Sequence, residues 1–132
     1  MRNRDWATRL CNTIKAATER PFSWGEFDCC LFAADCCIAV CGVDPAEKYR
    51  GKYKTERGAK GALVRNHGSL EAAFDAYFER VEPAMAQRGD VALTDSEDGR
   101  SIAVRWADSW WSTAEHGVTR VNVTPVIVWR VE

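Results

Sequence analysis

The sequence predicts a single α+β domain spanning residues 1–132, helical in its first part and closed by an antiparallel sheet. Two observations carry this. Up to about residue 78, apolar residues recur at helical spacing between capping residues, whereas from Gly89 onward short β-type runs alternate with turns. Helices first and a strand meander afterwards imply segregated layers and not a doubly wound sheet. The length agrees: 132 residues, 46% hydrophobic and 28% charged, suit one core that buries about two-thirds of the unfolded surface.

The elements follow in order. Trp6, Leu10, Ile14 and Ala17 fall at helical intervals in a segment that runs to Arg20 and stops at Pro21, so one amphipathic helix is expected there. Residues 29–42 carry Leu31, Phe32, Ile38 and Val40 among alanines and cysteines, apolar almost all round, and end at Gly42 with Pro45 beyond. This is the expected central buried helix. Thr55 caps a short helix through Leu63 and Val64 closed by Asn66-His67-Gly68, and Ser69 opens another that runs to about Phe78. The expected strands are Val91-Ala92-Leu93, Ile102 to Trp106, Trp110-Trp111, Val118 to Val123 and Val126 to Val131, with turns at Glu97-Asp98-Gly99 and His116-Gly117.

Charge and cysteine usage bound the function. The net charge is −1 and basic residues are mixed with acidic ones, which disfavours a nucleic-acid partner. No apolar run approaches 18 residues and no signal-peptide core follows Met1, so no membrane span is expected and the chain is expected to be made in a cytosol. Five of the six cysteines lie between residues 29 and 41 on one helix, where they cannot easily bridge one another, so reduced thiols are expected. Cys37 and Cys41, one turn apart, form the weak candidate for a metal or iron-sulfur site. Their spacing is not Cys-x-x-Cys and only His67 and His116 could add imidazoles, so no cofactor is expected.

The chemically sharpest feature is Asp28-Cys29. Asp28 is suited to cap the helix, which puts Cys29 at its first position, where unpaired N–H groups and the helix dipole favour thiolate. Cys29 is thus a candidate nucleophile, against the alternative that it is a small buried apolar residue like its neighbours Cys30, Cys36, Cys37 and Cys41.

A capped cysteine on a buried helix, followed by a sheet that opens with Arg88-Gly89-Asp90-Val91, resembles the NlpC-like branch of the papain-like cysteine peptidases. Trp24, Asp28-Cys29, Asp44-Pro45, Arg50-Gly51-Lys52-Tyr53-Lys54-Thr55, Gly89-Asp90-Val91 and Trp129-Arg130-Val131 occur in the order seen in a small tailed-phage branch of that fold. The resemblance covers Trp24 to Val131. It implies a half-barrel sheet, Cys29 at the nucleophile position and a histidine at the start of the second strand. Here that position holds Ser101, in Ser101-Ile102-Ala103-Val104-Arg105. A serine hydroxyl cannot take a thiol proton near neutral pH. The third member of the site would fall near Ser112 or Thr113 and would have no imidazole to orient.

The resemblance therefore implies a phage or prophage tail-tip or tail-assembly component with a degenerate peptidase fold, present in host cytoplasm during assembly and then in the virion tail. Its partners would be other tail-tip or baseplate proteins, with peptidoglycan as a further candidate. Two alternatives stand beside it: an active cell-wall cysteine hydrolase using Cys29, and a thiolate-rich binding module. His116 is expected in a solvent-facing turn and His67 at a helix end. Trp106, Trp110 and Trp111 crowd one hairpin and are the candidate contact surface. The basic and aromatic stretch from Tyr49 to Gly58 is expected to cover the core with its tyrosines.

Overall fold

The computed structural model describes residues 1–97 and 99–132. Asp98, inside the expected turn Glu97-Asp98-Gly99, lies outside the described residues. The described residues form four α-helices and then a six-stranded antiparallel sheet, an α+β arrangement.

Helix α1 (Trp6–Ala17) buries Leu10, Ile14 and Ala17. It is shorter than the expected run to Arg20, because the Thr18 amide turns back to the Lys15 carbonyl and tightens the end. Helix α2 (Cys29–Cys41) lies against α1 and the sheet and buries Leu31, Phe32, Ala33, Ala34, Cys36, Cys37, Ala39 and Val40. Gly42 ends it at φ 78°, a left-handed cap that costs glycine nothing sterically. Its burial is less complete than expected: Ile38 is 39% exposed, and Cys30 and Cys41 are half-buried.

Helix α3 (Glu56–Asn66) is capped by the Thr55 hydroxyl on the Gly58 amide, and α4 (Leu70–Asp75) by the Ser69 hydroxyl on the Ala72 amide. Ala62 and Ala73 from these helices pack with Leu31, Ala34, Ala46 and Tyr49 in a second core beside α2. Helix α4 stops short of Phe78. Asp75 is held there by Arg80 and by the Trp129 indole N–H, at 2.8 Å each, and the chain turns into a strand that the sequence pattern did not announce.

That strand is β1 (Glu79–Val81), and β2 (Val91–Ser96), β3 (Gly99–Trp106), β4 (Ser109–Ala114), β5 (Gly117–Val121) and β6 (Thr124–Arg130) follow it. The order across the sheet is β1-β6-β2-β3-β4-β5. Strands β2 to β5 form the expected meander, but β6 returns to lie beside β2. Thr124 pairs with Asp95 while Val121, three residues earlier, pairs with Trp110. Four inter-strand spacings in a flat sheet would span about 19 Å, and three peptide steps reach at most about 11 Å. The sheet therefore has to roll into an open barrel.

Rolling gives the sheet two distinct faces. Val91, Leu93, Ile102, Val104 and Trp129 face the helices and share the main core with Leu10, Phe32, Cys36 and Cys37. Ala92, Ala103, Trp110 and Val128 fill the inner curve on the other face.

The fold is tied at one end by Asp90, which is fully buried. Its carboxylate accepts from the Arg2 and Arg130 guanidinium groups at 3.0 Å each and from the amides of Gln87 and Val131. Two of the recurring sequence elements, Gly89-Asp90 and Trp129-Arg130-Val131, thus meet in one ion-pair cluster. A third is explained similarly: Arg50 bridges Asp35 at 2.8 Å and Asp44 at 2.9 Å. No described helix is long and apolar enough to cross a membrane.

Candidate functional site

The start of α2 is fixed before its chemistry begins. Ser23 and Phe27 exchange backbone hydrogen bonds at 2.7 and 2.9 Å, closing a tight loop ahead of the helix. Phe27 is buried and its ring meets Phe32 at 6.1 Å, an apolar clasp between the residue before the cap and the fourth helical position. Asp28, extended and 1% exposed, accepts the Leu31 amide at 3.0 Å through one oxygen.

Its other oxygen accepts the Gly25 amide at 3.1 Å and the Tyr53 hydroxyl at 2.5 Å. Gly25 is required at φ 85°: a β-carbon there would sit 1.8 Å from the Tyr53 carbonyl oxygen. The loop around Tyr53 therefore lies directly on the loop before the helix. Burial and the Asp28 carboxylate hold the Tyr53 phenol well above the ordinary tyrosine range, so it remains a donor. The tyrosines of the basic stretch do cover the core, and Tyr53 also completes the cap.

Cys29 opens the helix, half-buried, with its sulfur 3.9 Å from that of Cys30. A hydrogen bond from the Cys30 thiol and the Ile102 amide favour its thiolate against burial and the charge of Asp28, and the net shift is downward. Cys30 moves the other way: giving its proton to Cys29, together with burial, raises it well above the ordinary thiol value. The pair thus consists of one thiolate-prone sulfur and one neighbouring donor.

From the sheet, Ile102 belongs to the core that Cys29 packs against, and its amide contributes to the downward shift. Side chains alternate along β3, and Ile102 and Val104 pack toward α2, whereas Ala103 belongs to the opposite face. Ser101, at the position where the family resemblance implies a histidine, shares the face of Ala103. Its hydroxyl lies 3.3 Å from that of Thr94. Ser112 is buried and donates to the Ile102 carbonyl at 2.8 Å, just beyond the last β3–β4 register pair, Val104 with Trp111. Ser101 and Ser112 both line one open trough of ≈ 370 Å³, together with Thr113 and Asn122. The structure brings those two candidates together and separates Ser101 from Cys29 by the thickness of the sheet.

The histidines lie elsewhere. His67 caps the C-terminal end of α3, and its Nδ1 is hydrogen-bonded to the Tyr49 hydroxyl, with Tyr77 edge-on to the ring. His116 sits in the β4–β5 turn with its side chain 87% exposed. A narrow apolar cavity of ≈ 50 Å³ lies on the Cys30 side of the helix start, walled by Trp24, Leu31, Tyr49, Tyr53 and Phe74.

Cys37 is fully buried, and the Cys41 thiol donates to its carbonyl. Among the described residues, no group of three or more His, Cys, Asp or Glu side chains is arranged to hold a metal. The tryptophans of the hairpin divide as strand alternation requires. Trp110 is 7% exposed in the inner curve, while Trp106 and Trp111 are half-buried toward the helices.

The geometry defines an α+β domain in which a capped, thiolate-prone cysteine meets a sheet backbone. The chain belongs to the family described as Domain of unknown function (DUF6950), which matches residues 1–131. No curated protein matches it.

Proposed function

We propose that this is a papain-like domain of the NlpC-like type that has lost peptidase chemistry and works as a tail-tip or tail-assembly component of a phage or prophage. It is made in the host cytoplasm and ends in the virion tail, among other tail-tip or baseplate proteins. The observation that carries the loss of chemistry is the surroundings of Cys29. Its polar neighbours are Cys30, the Ile102 amide and Asp28, while both histidines have other positions. An amide N–H steadies a thiolate but has no lone pair to receive a proton, and a thiol held above its ordinary pKa is a poor acid for a leaving amine. The assembly role is supported by the ordered motif residues from Trp24 to Val131. Their partnerships with one another, Asp28 with Tyr53, Arg50 with Asp44 and Asp90 with Arg130, are structural.

The test is genetic complementation in the phage or lysogen that encodes the chain. Deletion is expected to abolish complete tails, and Cys29→Ser is expected to restore them. Intact tails after deletion would overturn the reading, as would a folded Cys29→Ser protein that fails to restore them.

The depressed Cys29 thiol is the one observation that favours a second reading, an active cell-wall cysteine hydrolase acting on peptidoglycan. In that reading Cys29 attacks a carbonyl and helix N–H groups steady the oxyanion. Its proton transfers would have to run through solvent.

A further inference from the structure

We propose that the apolar cavity beside the start of α2 binds a small quaternary ammonium cation, with Trp24, Tyr49, Tyr53 and Phe74 as its aromatic walls and the Asp28 carboxylate as its counter-charge. The site lies on the Cys30 side of the helix and does not depend on the fate of the Cys29 thiol.

Four aromatic side chains line this one space of ≈ 50 Å³, and the remaining walls are aliphatic apart from Asp28 and Cys30. They come from three separate parts of the chain: Trp24 from the loop before α2, Tyr49 and Tyr53 from the stretch after it, and Phe74 from α4. A single water needs about 10–15 Å³, so there is room for a larger guest.

The polar groups at the cavity are already engaged with one another. The Tyr49 hydroxyl is hydrogen-bonded to His67, the Tyr53 hydroxyl donates to Asp28, and the Cys30 sulfur lies 3.9 Å from that of Cys29. Among the described residues, no buried side-chain nitrogen or oxygen lacks a hydrogen-bond partner. A guest that must be hydrogen-bonded, such as a primary ammonium, a carboxylate or a sugar hydroxyl, finds no free partner here.

Charge, in contrast, is left unanswered. Asp28 is 1% exposed, and its three donors, the Gly25 and Leu31 amides and the Tyr53 hydroxyl, are all neutral. The other buried carboxylate, Asp90, is met by two guanidinium groups, whereas none of the ion pairs among the described residues involves Asp28. A buried charge is ordinarily paired. The guest that meets both conditions is positively charged and carries no N–H. A nitrogen with four alkyl groups offers the rings an apolar surface, and its charge is attracted both by their faces and by the carboxylate across a poorly screening wall.

The test is titration of the full chain with choline chloride at constant ionic strength, followed through the Trp24 indole N–H resonance. Neohexyl alcohol, in which carbon replaces the nitrogen, is titrated in parallel. Choline is expected to bind saturably and about tenfold more tightly than this neutral analogue, a comparison that needs no variant. Trp24→Leu keeps the wall apolar and should weaken choline about fivefold while leaving the alcohol within about twofold. Ala59→Leu, which fills the cavity from α3, should abolish binding of both, with circular dichroism confirming that each variant is folded. Glycerophosphocholine binding more tightly than choline would place the cation on a lipid-type headgroup, and weaker binding would mark a free cation; either result supports the site. Absent saturation by choline, equal affinity for the neutral alcohol, or unaltered choline affinity in both folded variants overturns the proposal.

Discussion

The Cys29 sulfur lies 3.9 Å from that of Cys30 at the start of α2, and this pairing bears on both what the cysteine retains and what it lacks. A proton shared from the Cys30 thiol, and after it the Ile102 amide, favours the Cys29 thiolate. An amide N–H cannot remove or return a proton. Under the proposed reading, Cys29 can attack an added electrophile directly but lacks a partner for amide turnover.

Alkylation should report the poise. In the native protein, iodoacetamide is expected to modify Cys29 faster than Cys36 or Cys37, with a rate–pH midpoint below the ordinary thiol value of about 8.5. Peptide mapping by mass spectrometry measures both. A Cys29 midpoint at or above that value would remove the electrostatic account of the site.

The buried thiols give stability a defined pH dependence. Burial pushes Cys36 and Cys37 well above the ordinary thiol value, and Cys30 is raised by its bond to Cys29 and by burial. The folded state therefore keeps protons that the unfolded chain releases. Stability is intact below about pH 8.5 and falls as pH rises through and beyond it. Cys29, shifted downward, opposes this alone. Urea midpoints at pH 7 and pH 9.5 should decrease in that order, and an increase would contradict the assignment.

Tyr53→Phe removes one of the three donors on Asp28 and leaves the ring's packing in place. The expected cost is about 1.5–3 kcal/mol, the range for a hydrogen bond to a charged group. Chemical denaturation measures it. Asp28→Ala, which deletes the cap as well, should cost more; equal effects would mean that Tyr53 and not the cap organises the helix start.

Asp90→Ala leaves Arg2 and Arg130, both largely buried, without their shared carboxylate. A loss of about 3–5 kcal/mol is expected, as for other buried pairs broken from one side. A change below about 1 kcal/mol in the same denaturation experiment would show that the cluster is dispensable.

The sequence made the helices legible because their ends are chemically marked: Asp28, Thr55 and Ser69 cap as their side chains suggest, and Gly42 closes α2. The strand β1 was not legible. Glu-Arg-Val is too short for a periodicity, and it is held by pairing with the far end of the chain, Val81 with Val128. The return of β6 to the side of β2 was hidden for the same reason, since register between distant strands leaves no local trace.

At the site, Cys29 and its cap followed from local rules, whereas the role of Ile102 did not. Matching Ser101 to the family's histidine aligned the order of residues without testing their alternation. Ile102 and Val104 are the large aliphatic residues of that strand and Ser101 is one position out of phase with them, so counting the period of two would have turned Ser101 away from the helix. Tyr53 was visible only as an aromatic residue in a basic stretch. Its bond to Asp28 depends on Gly25 letting two loops touch.

The most direct test of the central claim is hydrolysis itself. Purified peptidoglycan and its soluble stem peptides, incubated with the wild-type chain and with Cys29→Ala at neutral pH, are analysed by mass spectrometry for new amino and carboxyl ends. The account predicts product profiles for both proteins identical to the buffer control. Cleavage by the wild type that disappears in Cys29→Ala would contradict it.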